Sequence, residues 1–144
     1  MTSAELERLV KIGQLKREPP EASEIDGLRS SGEARLTDAE NAALALESRF
    51  DLVYNAAHAL ALAALRRLGY RPANRYIVFQ SLPHTLGIPT STWRTLARSH
   101  DVRNEGEYGG TFDIDERLIV DMIDAAKKVR AALREAGKPR RPLT

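Results

Sequence analysis

The chain has 144 residues, a length that suits one domain, and its 42% hydrophobic and 29% charged residues describe a chain able to fill a core. Ala and Leu outnumber Val, Ile and the aromatics, which leans to an all-α fold, and a net charge of +2 argues against a strong nucleic-acid field over the whole surface. No cysteine is present, so disulfides, thiolate nucleophiles and cysteine-ligated zinc are excluded; His58, His84 and His100 are too dispersed to read as a metal set.

Residues 3–16 read as a short amphipathic helix with Leu6, Leu9, Ile12 and Leu15 on one side, stopped by Pro19-Pro20. The mixed acidic and basic start carries no apolar signal core, which predicts a cytoplasmic protein. Ser23 with Asp26 resembles a cap for a second helix running towards Leu46, with a weak centre at Ser30-Ser31-Gly32 where a break is expected. Ser48 is placed to cap a third helix over residues 49–68, apolar nearly all round and therefore central. Its apolar run, residues 56–65, contains His58 and is too short to span a membrane. Gly69 stands where a C′ glycine belongs.

Asn74 can cap residues 75–86, where Tyr76-Ile77-Val78-Phe79 has strand propensity; the flanking helices favour helix, kinked at Pro83. Thr90 or Ser91 caps the helix over residues 93–108, which Gly109-Gly110 ends. Asp113 with Glu116 predicts a capping box for a last helix bearing Ile119, Met122, Ile123, Ala126, Val129 and Leu133. The sum is an antiparallel helical bundle of about five helices. Residues 1–20 form an N-terminal helix and proline linker, 21–136 the bundle, and 137–144 a basic tail expected to be disordered.

One stretch breaks the pattern. Trp93, Leu96 and Ala97 follow one helix face, and the same face then reads His100, Arg103, Asn104 and Glu107. A core stripe that turns charged is either a solvated end, with Arg103 paired to Glu107, or a cleft lined for a ligand. Arginine is permanently charged and forks onto phosphate, asparagine both donates and accepts, and a histidine one turn away supplies a base. Arg with His can cleave RNA without a metal: the base takes the 2′-OH proton and the cation steadies the phosphate.

Residues 48–108 resemble a HEPN domain (higher eukaryotes and prokaryotes nucleotide-binding). The likeness rests on Phe50-Asp51-Leu52-Val53-Tyr54-Asn55-Ala56-Ala57-His58-Ala59 and on Arg103-Asn104 followed by Glu107-Tyr108. In many HEPN ribonucleases an arginine and a polar residue precede a histidine four to six positions on. Arg103 and Asn104 fit that pattern, but Tyr108 occupies the histidine slot. Tyrosine is a poor general base at neutral pH, which leaves the base role to His100. The resemblance implies a homodimer acting on RNA or a nucleotide. It implies a toxin-like, metal-independent ribonuclease of a toxin–antitoxin or defence pair, with no cofactor. A nucleotidyltransferase-type antitoxin is the implied partner, able in some pairs to attach AMP to a tyrosine, here Tyr108. The expected catalytic set is Arg103, His100, Asn104 and Tyr108; Glu107, Asn55 and His58 are expected to bind or support it.

Three other readings stand beside this one. Asn55 and His58 share a face of an apolar helix and equally suit a buried hydrogen-bonded pair. A non-catalytic module binding a nucleotide or a partner protein needs the same cleft. Residues 82–94 resemble a helix-turn-helix in which Thr90, Ser91, Thr92 and Arg94 enter the major groove, although Pro83 stands where a small residue is usual. Arg94 itself, also spaced from His100 as Arg to His, points off the polar face. His84 reads as surface, as do Arg66-Arg67, Arg71 and Arg75, which can hold phosphates only if they lie near Arg103.

Overall fold

The computed structural model describes residues 3–109 and 114–137. Seven helices and one two-stranded ribbon are present among them: α1 (Ala4–Lys11), β1 (Leu15–Arg17), α2 (Ala22–Ala39), α3 (Leu46–Arg67), β2 (Tyr70–Pro72), α4 (Arg75–Gln80), α5 (Leu82–Thr85), α6 (Thr90–Gly109) and α7 (Glu116–Ala136). The all-α bundle expected from composition is the fold. Two short segments supply the additional helices, because residues 75–86 divide at Ser81 into α4 and α5.

Helix α3 is the hub, with Phe50, Val53, Tyr54, Ala57, Leu60 and Leu65 all buried, and α2 and α7 both pack on it. Ion pairs Arg134–Glu33 (2.6 Å) and Lys127–Glu40 (2.9 Å) tie α7 to α2, and their order along the two chains makes those helices antiparallel. Both pairs are exposed, so they set register more than they add stability. Helix α6 lies against α4 and α7.

Several local expectations are corrected. The first helix stops at Lys11, not at residue 16: Gly13, at φ +78, turns the chain, with its N–H on the Val10 carbonyl and the Gln14 N–H on the Leu9 carbonyl. Leu15 therefore reaches the core from a strand, and Ile12 is left 63% exposed. That strand, β1, pairs antiparallel with β2 in the register Leu15 to Pro72, Lys16 to Arg71 and Arg17 to Tyr70. Helix α2 begins after Glu21, without the Ser23–Asp26 cap, and ends at Ala39 instead of approaching Leu46. Helix α3 begins at Leu46, two residues before Ser48, and its N-cap Ala45 offers no side-chain bond. The cap of α7 is Asp115, whose carboxylate accepts from the Leu118 N–H at 2.8 Å; Asp113 lies outside the described residues. Asn74 caps α4 as its sequence predicts, accepting from the Ile77 N–H at 3.0 Å, and Gly69, at φ +88, closes α3. The basic tail past Gly137 is outside the described residues.

The helix break expected at Ser30-Ser31-Gly32 does not occur. Helix α2 runs through it, and Gly32 faces α3 so closely that a Cβ there would sit 2.7 Å from Leu60 Cγ and 3.2 Å from the Ala56 carbonyl oxygen. Glycine is present for the contact, and packing outweighs its poor helix propensity.

The arginines around Gly69 are not a solvated patch. Arg66 is 1% exposed. Its Nε donates to Glu24 Oε1 (2.7 Å), Nη1 to the Glu18 and Tyr70 carbonyls (2.9 and 3.2 Å), and Nη2 to the Pro19 carbonyl (2.8 Å). Arg71 closes the cluster on Glu18 (2.5 Å) and Glu24 (2.8 Å). Hydrogen bonds from Arg71 and then Arg66 hold the Glu24 carboxyl below its ordinary range. At the other end of α3, buried Arg49 donates from Nε to the carbonyl of Ala39, the last residue of α2 (2.9 Å).

Two variants test this frame. Arg66→Ala leaves three carbonyls without their donor and Glu24 held by Arg71 alone, and is expected to cost about 3–5 kcal/mol in urea unfolding. Gly32→Val overpacks the α2–α3 contact and is expected to cost about 1–3 kcal/mol in the same measurement.

Candidate functional site

Three elements converge on one polar spot: α3 brings Tyr54 and His58, α4 brings Arg75, Tyr76 and Phe79, and α6 brings His100, Arg103 and Asn104. Tyr54 is the fixed centre. It is fully buried, flanked by Phe50 (centroids 6.2 Å, stacked) and met edge-on by Phe79 (5.8 Å). Its hydroxyl lies 2.9 Å from His100 Nδ1, and the imidazole stacks on its ring at 6.3 Å.

The second ring nitrogen of His100 is also engaged. Asn104 Nδ2 stands 3.1 Å from His100 Nε2, one helical turn along α6. An amide nitrogen donates, so this pair of contacts suits the tautomer in which Nε2 accepts and Nδ1 carries the proton towards the Tyr54 oxygen. The unprotonated Nε2 is the nitrogen a base needs. Asn104 covers it, so a substrate hydroxyl reaches that lone pair only by displacing the amide.

Positive charge gathers around the same ring. Arg103 lies 5.0 Å and Arg75 5.8 Å from the Tyr54 centroid, both within cation–π range. Each guanidinium carries a permanent charge and a fork of donors suited to a phosphate. Arg75 is exposed and Arg103 and Asn104 are half-buried, so the spot opens to solvent.

His58 sits beneath this charge, edge-on to Phe79 at 6.0 Å. Burial, followed by the positive charge of Arg75, by repulsion from the His100 ring when it is protonated, and by the charge of Arg103, pushes its pKa down to about 4. It remains neutral at physiological pH and supports the site by packing. Asn55 is not brought in; its amide donates to the Asp51 carbonyl of its own helix at 2.8 Å. The side chains of Glu107 and Tyr108 lie outside the described part of the structure. His84 is exposed, as its sequence predicts. Arg94 is exposed and away from this cluster, and α5, with four residues, is too short to act as the supporting helix of a helix-turn-helix.

Sequence reasoning did not assign Tyr54, Arg75 or Tyr76 to the site. A signal existed for Tyr54: it precedes His58 by four residues and so shares its face of α3 more closely than Asn55 does with Tyr54. For Arg75 and Tyr76 the spacing carries none, because only the α4–α6 packing brings them to His100. No group of three or more metal-ligating side chains occurs among the described residues, and no described helix is long and apolar enough to cross a membrane. Comparison with protein-family models, curated proteins and solved structures finds no match to this chain.

The buried histidine carries a pH signature. In the unfolded chain His58 protonates near its ordinary value of 6.5; in the fold it does so only near about 4. Its contribution is complete above pH 6.5 and is lost as pH falls from there towards 4, to a depth of about 3 kcal/mol. Unfolding followed by circular dichroism across that window is expected to show a shallower loss for His58→Gln than for the parent protein.

Proposed function

We propose that the Tyr54–His100–Asn104 chain with Arg75 and Arg103 is a HEPN-type site that binds the phosphate backbone of RNA or a nucleotide, and that it works as a metal-independent endoribonuclease. The observation that carries this reading is the convergence of Arg103 and Arg75 on the buried Tyr54 ring, beside an imidazole held between Tyr54 and Asn104. Cations flanking an anion seat beside an unprotonated base suit phosphodiester transesterification. The substrate 2′-OH displaces the Asn104 amide and gives its proton to His100 Nε2. The O2′–P bond forms as the P–O5′ bond breaks, Arg103 and Arg75 steady the charge on the phosphoryl oxygens, and the departing 5′-oxygen takes a proton from solvent. Tyr54 holds the ring in place throughout, as it passes from imidazole to imidazolium.

The resemblance in residues 50–59 and 103–108 supports the same reading, and with it a homodimer and a nucleotidyltransferase-type antitoxin as partner. A second reading is favoured by one specific observation: both nitrogens of His100 are already engaged by protein groups. In that reading the site binds RNA or a nucleotide without cutting it.

Purified protein is tested against labelled single-stranded RNA for binding and for cleavage. His100→Ala is expected to lower cleavage about 100-fold or more while binding persists. Arg103→Ala is expected to weaken binding about 10- to 100-fold. Intact RNA with an affinity still sensitive to Arg103→Ala selects the binding module. Both variants behaving as the parent in both assays refutes the site.

A further inference from the structure

Tyr76 is the one aromatic among the large apolar side chains left exposed in the described residues, at 38%. Its position is set firmly. Asn74 caps α4 directly ahead of it, and Ile77, Val78 and Phe79 anchor the same helix in the core. Tyr76 is thus held at the surface beside His100, its ring 6.0 Å from the His100 ring and tilted 53° to it. Its chain neighbour Arg75 is one of the two cations over Tyr54, and among the described residues Arg75 has no carboxylate within ion-pair distance. Among the same residues the Tyr76 hydroxyl has no hydrogen-bond partner, so no polar contact within them explains where the ring is placed.

A flat exposed ring next to an arginine, one ring-width from a base, presents two different surfaces to one nucleotide. The ring takes the π-face of a nucleobase, and the guanidiniums take the phosphate attached to the same sugar. The sugar between them then lies over His100, where its 2′-OH meets Nε2. We infer that Tyr76 is a base-stacking platform which makes this site selective for an unpaired nucleotide within single-stranded RNA. A duplex cannot offer that contact, because each base face is already covered by its neighbours in the A-form stack. Selectivity between bases is modest, since every base has a π-face.

This inference rests on the RNA-binding reading above, and the experiment separates the two. The probes are a short 5′-fluorescein single strand, its blunt duplex, and a strand with one abasic ribose. Affinity is read by fluorescence anisotropy for the parent, Tyr76→Phe, Tyr76→Ala and Arg103→Ala, each checked for native circular dichroism. Tyr76→Ala is expected to weaken single-strand binding about 5- to 150-fold. Tyr76→Phe keeps the ring and is expected to bind like the parent. The parent is expected to favour the single strand over the duplex and to lose affinity for the abasic strand, a loss that Tyr76→Ala no longer shows. A strand bearing 2-aminopurine is expected to be quenched on binding by the parent and by Tyr76→Phe, but not by Tyr76→Ala. If Tyr76→Ala binds all probes as the parent does while Arg103→Ala binds poorly, stacking is overturned and the phosphate site survives. If the parent binds no probe, both are overturned.

Discussion

The fold depends on one buried guanidinium. Arg66 cannot lose its charge, and removing it from water is costly unless every face of the group is met. Two carboxylates and three carbonyls meet it, and they come from three places: the end of β1 and the turn after it, the first turn of α2, and the start of β2. The first twenty residues are thereby pinned to the far end of the central helix. Arg49 performs a related task at the opposite end of α3, donating to the carbonyl of Ala39 at the end of α2. Arg67 does so for α5, its Nη2 donating to the Thr85 carbonyl at 2.9 Å. Helix α3 is therefore more than an apolar rod. Its arginines terminate the backbones of its neighbours, where side-chain caps are missing from the sequence.

That rigidity is what lets the polar cluster on α3, α4 and α6 hold its shape. Tyr54 sits in the core, yet its hydroxyl emerges at the one place where α6 turns polar. The ring that fixes the imidazole from below also underlies both guanidiniums. One buried aromatic thus couples the proton-carrying group and the charge-carrying groups. Its neighbour His58, kept neutral by burial and by those same cations, adds no further positive charge to a spot already rich in it.

The sequence makes the helical class, the apolar centre of the bundle and the polar turn of the α6 face legible, because each is a periodic signal within one segment. Leu96 and Ala97 are buried and His100, Arg103 and Asn104 are half-buried, as the stripe requires. Legibility ends where partners are distant in the chain. Nothing near Arg66 reveals that Glu18 and Glu24 wait for it, so the cluster looks like surface. The strand at Leu15–Arg17 is equally hidden: three residues paired with three others more than fifty positions away leave no alternation to read. Gly32 misleads for the same reason. Local propensity marks it as a break, and only the facing Leu60 shows why it is needed. In the site, Arg75 and Tyr76 are hidden because the sequence marks residues 75–86 as helix without showing that α4 packs against α6.

The Arg66 cluster also orders events in time. Its carboxylates belong to residues 18 and 24, while the guanidinium belongs to residue 66, so the beginning of the chain cannot complete its own contacts until nearly half the protein has been made. Until then Glu18 and Glu24 lack the guanidinium that both of them pair with in the fold. Detachment in the finished protein follows the same route in reverse. Any opening that lifts residues 18–20 away strips Arg66 of two carbonyls and a carboxylate together, so fraying at the N-terminus is felt at the end of the central helix.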